Sequence, residues 1–286
     1  MNKLATLGPR GTYSESASLK YIDASNSPHE IEYFGSIKKV LNSVGQSSDV
    51  AVLPIENLSE GFVSLVLDHL IESELTIVSE ILLPIQFSFV SNTADLSSID
   101  KLFVQFVAKG QCSDYIDALA NVEIITTQSN IESLNCVIED AGNSAAIVPS
   151  TSFESKRFRH VVENVNDYKN NQTRFLALSK ESRALDPSSN VNWKTSLVVF
   201  DDRDRPGLLA EVLTSFASRN VNLTSIISRP TKIEFGQYNF LIDVQGHFAE
   251  LAVAEAITEI NKIAKVKNMG SYPAAKIHLK VVEDTL

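Results

Sequence analysis

The feature that most limits what this chain can fold into is an alternation. Along its first 150 residues, short apolar runs bounded by turn residues exchange with stretches whose apolar residues recur at helical spacing. Residues 4–7, 31–34, 49–55, 101–107, 122–126 and 145–148 read as strands. Helices are expected from Thr12 or Ser14 through Ala17, Leu19 and Tyr21; behind Ser36 with Ile37, Val40, Leu41 and Val44; and with Val63, Val66, Leu67 and Leu70. Two more are expected over about 111–119 and 131–141. Residues 77–90 are two strand-like runs joined near Pro84, and residues 161–178 lead back. The first 180 residues therefore alternate strand and helix twice, with crossovers near 80–90 and 165–175. This pattern predicts two α/β lobes with a cleft between them.

Residues 181–192 are polar, with Pro187 and several serines, and read as a linker. A smaller domain is expected over 193–286: a strand at 195–200, a loop through Pro206-Gly207, and a helix with Leu208, Leu209, Val212, Leu213, Phe216 and Ala217 on one face. Strands at 221–228 and 238–244, a helix at 248–263 and a last strand from about 266 complete it. The order β-α-β-β-α-β is the ferredoxin-like arrangement.

Composition removes other classes. A formal net charge of -10 with no Lys/Arg block argues against a nucleic-acid surface. No apolar run reaches membrane-spanning length, and Gly8-Pro9 breaks the N-terminus too early for a signal peptide. Two cysteines, Cys112 and Cys136, read as reduced thiols, and the five His show no metal-ligand spacing. A cytoplasmic, metal-free protein is expected.

Three stretches offer chemistry. Gly8 and Gly11 bracket a turn from strand to helix, an arrangement that presents backbone N–H groups to an anion but also occurs as an ordinary βα turn. Glu56 and Asn57 follow a buried strand, and in open α/β sheets ligands sit beyond the carboxyl ends of strands. In Asn170-Asn171-Gln172-Thr173-Arg174-Phe175, a hydroxyl and a guanidinium stand side by side at the mouth of a strand. Arg174 can clamp a carboxylate and Thr173 can donate one hydrogen bond to the same small molecule, although alone the stretch reads rather as a solvated strand edge, since such clusters are common in loops.

Taken together, these motifs resemble a known family. Gly8-Pro9-Arg10-Gly11-Thr12-Tyr13-Ser14, then Pro54-Ile55-Glu56-Asn57 with Gly61 and Val63, then Asn171-Gln172-Thr173-Arg174-Phe175 are similar to the three main motifs of prephenate dehydratase, in the family's order. The smaller domain resembles an ACT domain, an amino-acid-sensing module, with Arg205-Pro206-Gly207-Leu208-Leu209 and Ser228-Arg229-Pro230 as its ligand-site motifs and Gly270-Ser271-Tyr272-Pro273 as the family's closing motif.

The resemblance implies a periplasmic-binding-protein-like catalytic domain of two lobes. It implies loss of water and carbon dioxide from prephenate to give phenylpyruvate, without a cofactor. Thr173, Asn57 and Gln111 would be catalytic, with Arg174, Glu56, Thr12, Ser14 and Phe175 binding substrate. L-Phenylalanine would be the allosteric effector, held by Gly207, Leu208, Leu209, Asn222, Ser228 and Arg229, in a homodimer or homotetramer. Asn222 also reads as a plain turn residue. Departures from the family pattern fall at Leu58 for Ser, at Val104-Gln105-Phe106-Val107 for Ser-His-Pro-Gln, at Ser129-Asn130 for Ser-Thr, and at Ile227 for Glu. An arogenate dehydratase and a non-catalytic amino-acid-sensing paralogue are the alternatives.

Overall fold

The computed structural model describes residues 2–93, 95–119, 121–140, 142–181, 191–201 and 205–275. Most of the expected linker (182–190), loop residues 202–204 and the C-terminal 276–286 lie outside these. The first lobe is built from β1 (Asn2–Leu7), α1 (Tyr13–Ser25), β2 (His29–Phe34), α2 (Ile37–Ser43), β3 (Val50–Asn57), β4 (Gly61–Phe62), α3 (Ser64–Glu72) and β5 (Thr76–Pro84). The second comprises β6 (Phe87–Ser91), β7 (Lys101–Gln105), α4 (Phe106–Gln111), α5 (Ser113–Asp117), β8 (Glu123–Thr127), α6 (Asn130–Glu139), β9 (Ser144–Pro149) and β10 (His160–Val162). The chain then returns to the first sheet as β11 (Gln172–Ser179). Last come β12 (Trp193–Phe200), α7 (Leu208–Ala217), β13 (Leu223–Pro230), β14 (Tyr238–Gln245), α8 (Leu251–Ile260) and β15 (Lys265–Pro273).

The sheet of the first lobe has the order β2-β1-β3-β11-β5, with β4 beside β3; that of the second is β10-β6-β9-β7-β8. Strands β1, β2 and β3 are parallel, whereas β11 lies antiparallel to both neighbours because it re-enters from the other lobe. Two asparagines hold the crossovers together. Asn166 accepts from Phe87 N (2.7 Å) and donates to Ile85 O (3.2 Å), and Asn171 O accepts from Ile85 N (2.8 Å).

The third sheet, β13-β14-β12-β15, carries α7 and α8 on one face, packed through Leu197, Val199, Ile242 and Val244. Its other face is not solvated. Val198, Leu241, Met269 and Tyr272 join Leu53, Ile55, Leu67, Leu70, Ile77 and Leu176 in one buried cluster. Strand alternation makes this possible, since successive residues of β12 face opposite sides. The closing motif has a physical reason here. Gly270 adopts φ +128°, and a Cβ on it would run into the carbonyl oxygen of Ile77 on β5.

Near the candidate site, two boundaries differ from the sequence reading. The helix expected over 111–119 is instead α4 followed by α5, because the Gln105 side chain accepts from Val107 N (2.8 Å) and Ala108 N (3.3 Å) and starts the helix early. Gln111 therefore ends a helix rather than opening one. Glu56 and Asn57 lie within β3, paired with β11, not beyond its end.

Candidate active site between the lobes

The site is set by a register shift. In the pairing of β3 with β11, Thr173 stands opposite Asn57, Arg174 opposite Glu56, and Phe175 opposite Pro54, so Ile55 is an extra residue on β3. Ala51, Leu53 and Ile55 face the second domain's cluster, and unbroken alternation would send Asn57 the same way. The bulge puts Ile55 and Glu56 on one face and turns Asn57 to the other, where Phe175 and Ala177 also point. Pro54, which has no N–H to give a ladder, is tolerated at such a bulge.

Asn57 is fixed by its own hairpin. Its Oδ1 accepts from Ser59 N (2.9 Å), Ser59 Oγ (2.8 Å) and Glu60 N (3.1 Å). That leaves Nδ2 as the donor to Thr173 Oγ1, at 2.8 Å. A hydroxyl that accepts from an amide keeps its own proton free to donate elsewhere. Thr173 is buried, with 8% of its surface exposed.

The second lobe contributes Gln111. Its Oε1 accepts from Asn171 Nδ2 at 2.9 Å, and its Nε2 lies 3.5 Å from Glu60 Oε1. Glu60 thus links Gln111 to the Asn57–Thr173 pair, and Asn171 anchors Gln111 from the other side. Asn171 Oδ1 is buried and has no partner among the described residues. Neither Asn171 nor Glu60 is a site residue by sequence reasoning; their places inside the two motifs are the only signal.

The N-terminus of α1 meets the crossover. Tyr13 Oη donates to Gln86 O (2.6 Å) and accepts from Gln86 N (3.0 Å), and burial pushes its pKa well up, so it stays a phenol. Thr12 caps α1 by accepting from Glu15 N at 3.4 Å, and Ser14 is buried in the first turn. The expected anion-binding N–H of Gly11 is occupied by the protein itself, donating to Glu15 Oε2 at 2.6 Å. Gly11, at φ +80°, abuts α6 of the other lobe: a Cβ there would come within 2.6 Å of Ile131 Cδ1.

Arg174 and Glu56 do not join this group, which corrects the expectation that they bind substrate beside Thr173. Successive residues of β11 face opposite sides, and Arg174 points to the second domain. Its Nε donates to Glu80 Oε2 (2.8 Å), its Nη1 pairs with Asp243 Oδ2 (2.7 Å), and its Nη2 donates to Tyr272 Oη (2.9 Å). Glu56 follows at 3.8 Å. Burial works against the Arg174 charge, but Asp243, Tyr272 and Glu80 outweigh it and hold the guanidinium protonated. For Glu56 burial wins over Arg174, and its pKa is raised. Phe175 is likewise corrected: it is 2% exposed and packs with Leu4, Ala17 and Tyr21 as core.

The departures take varied places. Val104 is fully buried in the second lobe's core. Leu58 is exposed beside Glu80 and Arg174, in a groove of about 990 Å³ between the domains. Ser129 caps α6 through Glu132 N at 3.1 Å. Ile227 packs against the interdomain cluster.

In the second domain, Gly207 takes φ +89° at the N-cap of α7, Leu208 is buried in the core, Leu209 is half-buried, and Ser228 is exposed. Asn222 is exposed at the far end of α7, its carbonyl accepting from Gln245 N at 2.9 Å. Arg229 is taken up by the first lobe: Nε donates to Asp68 Oδ1 (2.8 Å) and Nη1 to Ser64 Oγ (3.2 Å).

Among the described residues, no cluster of three or more His, Cys, Asp or Glu is arranged to hold a metal, and no helix is long and apolar enough to cross a membrane. Burial pushes the Cys112 thiol up to about 12, which leaves it a poor nucleophile at neutral pH.

Comparison with known proteins identifies the family. A family profile described as prephenate dehydratase matches residues 4–183, and one described as ACT domain matches 197–261. The prephenate dehydratase of Methanocaldococcus jannaschii is 33% identical over 268 residues, 93% of this chain and 96% of that protein. The bifunctional chorismate mutase/prephenate dehydratase of Aquifex aeolicus is 31% identical over 276 residues, 96% of this chain and 74% of that one. The crystal structure of an Arthrobacter aurescens prephenate dehydratase in complex with L-Phe superposes with a TM-score of 0.78 at 30% identity, covering 96% of this chain and 93% of the other. With a dehydratase profile over its two lobes and an ACT profile over its third sheet, this chain belongs to the prephenate dehydratase family.

Proposed function

We propose that the cleft holding Thr173, Asn57 and Gln111 converts prephenate to phenylpyruvate, carbon dioxide and hydroxide. The ring carboxylate leaves as carbon dioxide, its electron pair makes the ring aromatic, and the C–O bond to the ring hydroxyl breaks. No electrons are exchanged with a second reactant. What the protein supplies is orientation and a donor for the departing oxygen. Thr173 fits that role because its oxygen already accepts from Asn57 Nδ2, at 2.8 Å, which leaves its own proton free to donate. This hydrogen bond is the observation that carries the reading. Charge develops on the leaving oxygen in the transition state, where a pre-aimed donor contributes most. Gln111, oriented by Asn171, offers a further amide to the ring hydroxyl. The buried surroundings favour loss of the carboxylate charge.

The test is turnover of prephenate and arogenate by the wild-type chain and by Thr173→Ala. Prephenate turnover falling about 10²–10³-fold in the variant, with the fold intact, supports the role of Thr173. A wild type that leaves prephenate unchanged sinks the reading.

We also propose feedback by L-phenylalanine at the ACT domain, supported by the L-Phe complex of the Arthrobacter relative. Gly207 and Asn222 sit at opposite ends of a ten-residue helix, about 15 Å apart. One amino acid can touch both only if Gly207 comes from one chain and Asn222 from another, so the site requires a homo-oligomer, a dimer at least. Asn222→Ala should weaken phenylalanine binding in calorimetry while basal turnover is kept; unchanged affinity would place the site elsewhere.

A further inference from the structure

Arg174 is one residue from Thr173, yet everything it touches lies on the other side of the sheet. Its guanidinium is met from four strands. Glu80 on β5 takes Nε, Asp243 on β14 takes Nη1, Tyr272 on β15 takes Nη2, and Glu56 on β3 lies beyond. These partners are themselves fixed. Lys194 Nζ donates to both Glu80 oxygens (2.9 and 2.8 Å), and Ala275 N donates to Glu80 Oε1 at 2.8 Å. Ser196 Oγ donates to Asp243 Oδ1 at 2.5 Å and lies 2.6 Å from the Tyr272 hydroxyl. Tyr272 is fully buried and Arg174 nearly so. A planar guanidinium held in several directions by anchored acceptors has one position, not a range of them.

We propose that Arg174 is a positioning residue, clamped by Asp243 and Tyr272 of the ACT sheet and by Glu80, which fixes the segment of β11 that aims Thr173 at Asn57. The ACT domain is then a structural part of the active site, contributing no atom to the substrate but setting where the catalytic hydroxyl stands. The reason lies in the register. At the bulge the β3–β11 ladder is interrupted between Arg174 and Phe175, next to the pair that must align. The pairing with β5 is unbroken from Gln172 to Ala177 and holds β11 on its other side, so on the β3 side, where the ladder is broken, the Arg174 side chain supplies the anchor next to Thr173. The inference rests on the dehydratase reading for its kinetic consequence, not for its geometry.

Asp243→Asn tests it, since Asp243 belongs to a strand of the ACT sheet and bonds to Arg174 away from Thr173. Steady-state kinetics with prephenate should show kcat reduced roughly 10–10²-fold with KM little changed, the cost of a displaced catalytic group. Arg174→Met should show the same split, and the double variant should be no worse than Arg174→Met alone. Tyr272→Phe, which removes one hydrogen bond and keeps the ring, gives a smaller kcat loss and serves if Asp243→Asn does not fold. The side-chain amide signals of Asn57 in a nitrogen–proton NMR spectrum, assigned with Asn57→Asp, should move in each variant, because Nδ2 reports the Thr173 oxygen. A raised KM with unchanged kcat in Arg174→Met would make Arg174 a substrate clamp and overturn the proposal. Wild-type kcat with unmoved Asn57 signals in Asp243→Asn would also overturn it. If the wild type fails to turn over prephenate, the dehydratase reading falls, and the Asn57 signals alone decide the positioning role.

Discussion

Asn57→Asp changes one atom and should reverse the direction of one hydrogen bond. In the native site Nδ2 donates to Thr173 Oγ1 at 2.8 Å, which leaves the hydroxyl proton free for the role proposed above, donation to the leaving oxygen. A carboxylate at position 57 has no proton to give. Thr173 then becomes the donor, and its only proton is drawn toward the carboxylate. The fold should not suffer, because the donors that now reach Oδ1 (Ser59 N, Ser59 Oγ and Glu60 N) are served equally well by a carboxylate oxygen. The expected loss is that of one pre-aimed donor, about 10²–10³ in kcat or about 2.7–4 kcal/mol of transition-state stabilisation. The Thr173→Ala variant removes the same donor outright, so combining the two changes should cost no more than Thr173→Ala alone. The assay is phenylpyruvate formation at saturating prephenate, with thermal unfolding as the control for folding. An Asn57→Asp enzyme that retains more than about a tenth of wild-type kcat would refute the donor role assigned to Thr173.

Two further outcomes follow from the domain interface. Gly270→Ala should lower thermal stability by about 1–3 kcal/mol, because Gly270 holds φ +128° and the new methyl meets the Ile77 carbonyl; a calorimetric melting point equal to wild type would contradict this. The Asp68 carboxyl is pulled up by burial, but hydrogen bonds from Arg229 and Lys232 outweigh this and set it below the usual 3.8. A depressed folded pKa means stabilisation that is present above 3.8 and lost as pH falls through the lower folded value. Asp68→Asn should therefore reduce the urea midpoint at pH 6, by the equivalent of about 1 kcal/mol, and have a fading effect below the ordinary carboxylate range. A difference that does not depend on pH would count against the ion pair.

Much of the architecture was legible because it is locally encoded. Short apolar runs and helix-period stretches alternate with capping residues at their junctions, and Thr12 and Ser36 do cap helices as their positions suggest. The exceptions have local causes that periodicity does not carry. The Gln105 side chain begins α4 several residues early, and the second helix of the ACT domain is shorter than its apolar stretch, Leu251–Ile260 against 248–263. Thr173, Asn57 and Gln111 are singled out as candidates by their motifs. Their mutual contacts were not legible, since Asn57 and Thr173 are 116 residues apart in sequence.

Arg174 shows where sequence reasoning stops. Side by side in a motif, a hydroxyl and a guanidinium read as two arms around one ligand, but in a strand adjacency in sequence means opposition in space. The parity of β11 decides which of the two enters the cleft, and the bulge at Ile55 decides that Asn57 enters with Thr173 rather than with Arg174. Without the bulge, an unbroken ladder continuing from the Phe175–Pro54 pair would set Ile55 opposite Arg174 and Glu56 opposite Thr173, placing a carboxylate where the amide donor now stands. Nothing in the composition of that stretch announces the bulge except Pro54, which cannot pair normally within a ladder. Asp243, Glu80 and Tyr272, which take up the guanidinium, lie 69, 94 and 98 residues from it in sequence, on strands whose polar members otherwise read as surface. The motif is thus divided between two faces. Its threonine meets Asn57, where the proposed function puts the chemistry, and its arginine meets Asp243 and Tyr272 of the second domain.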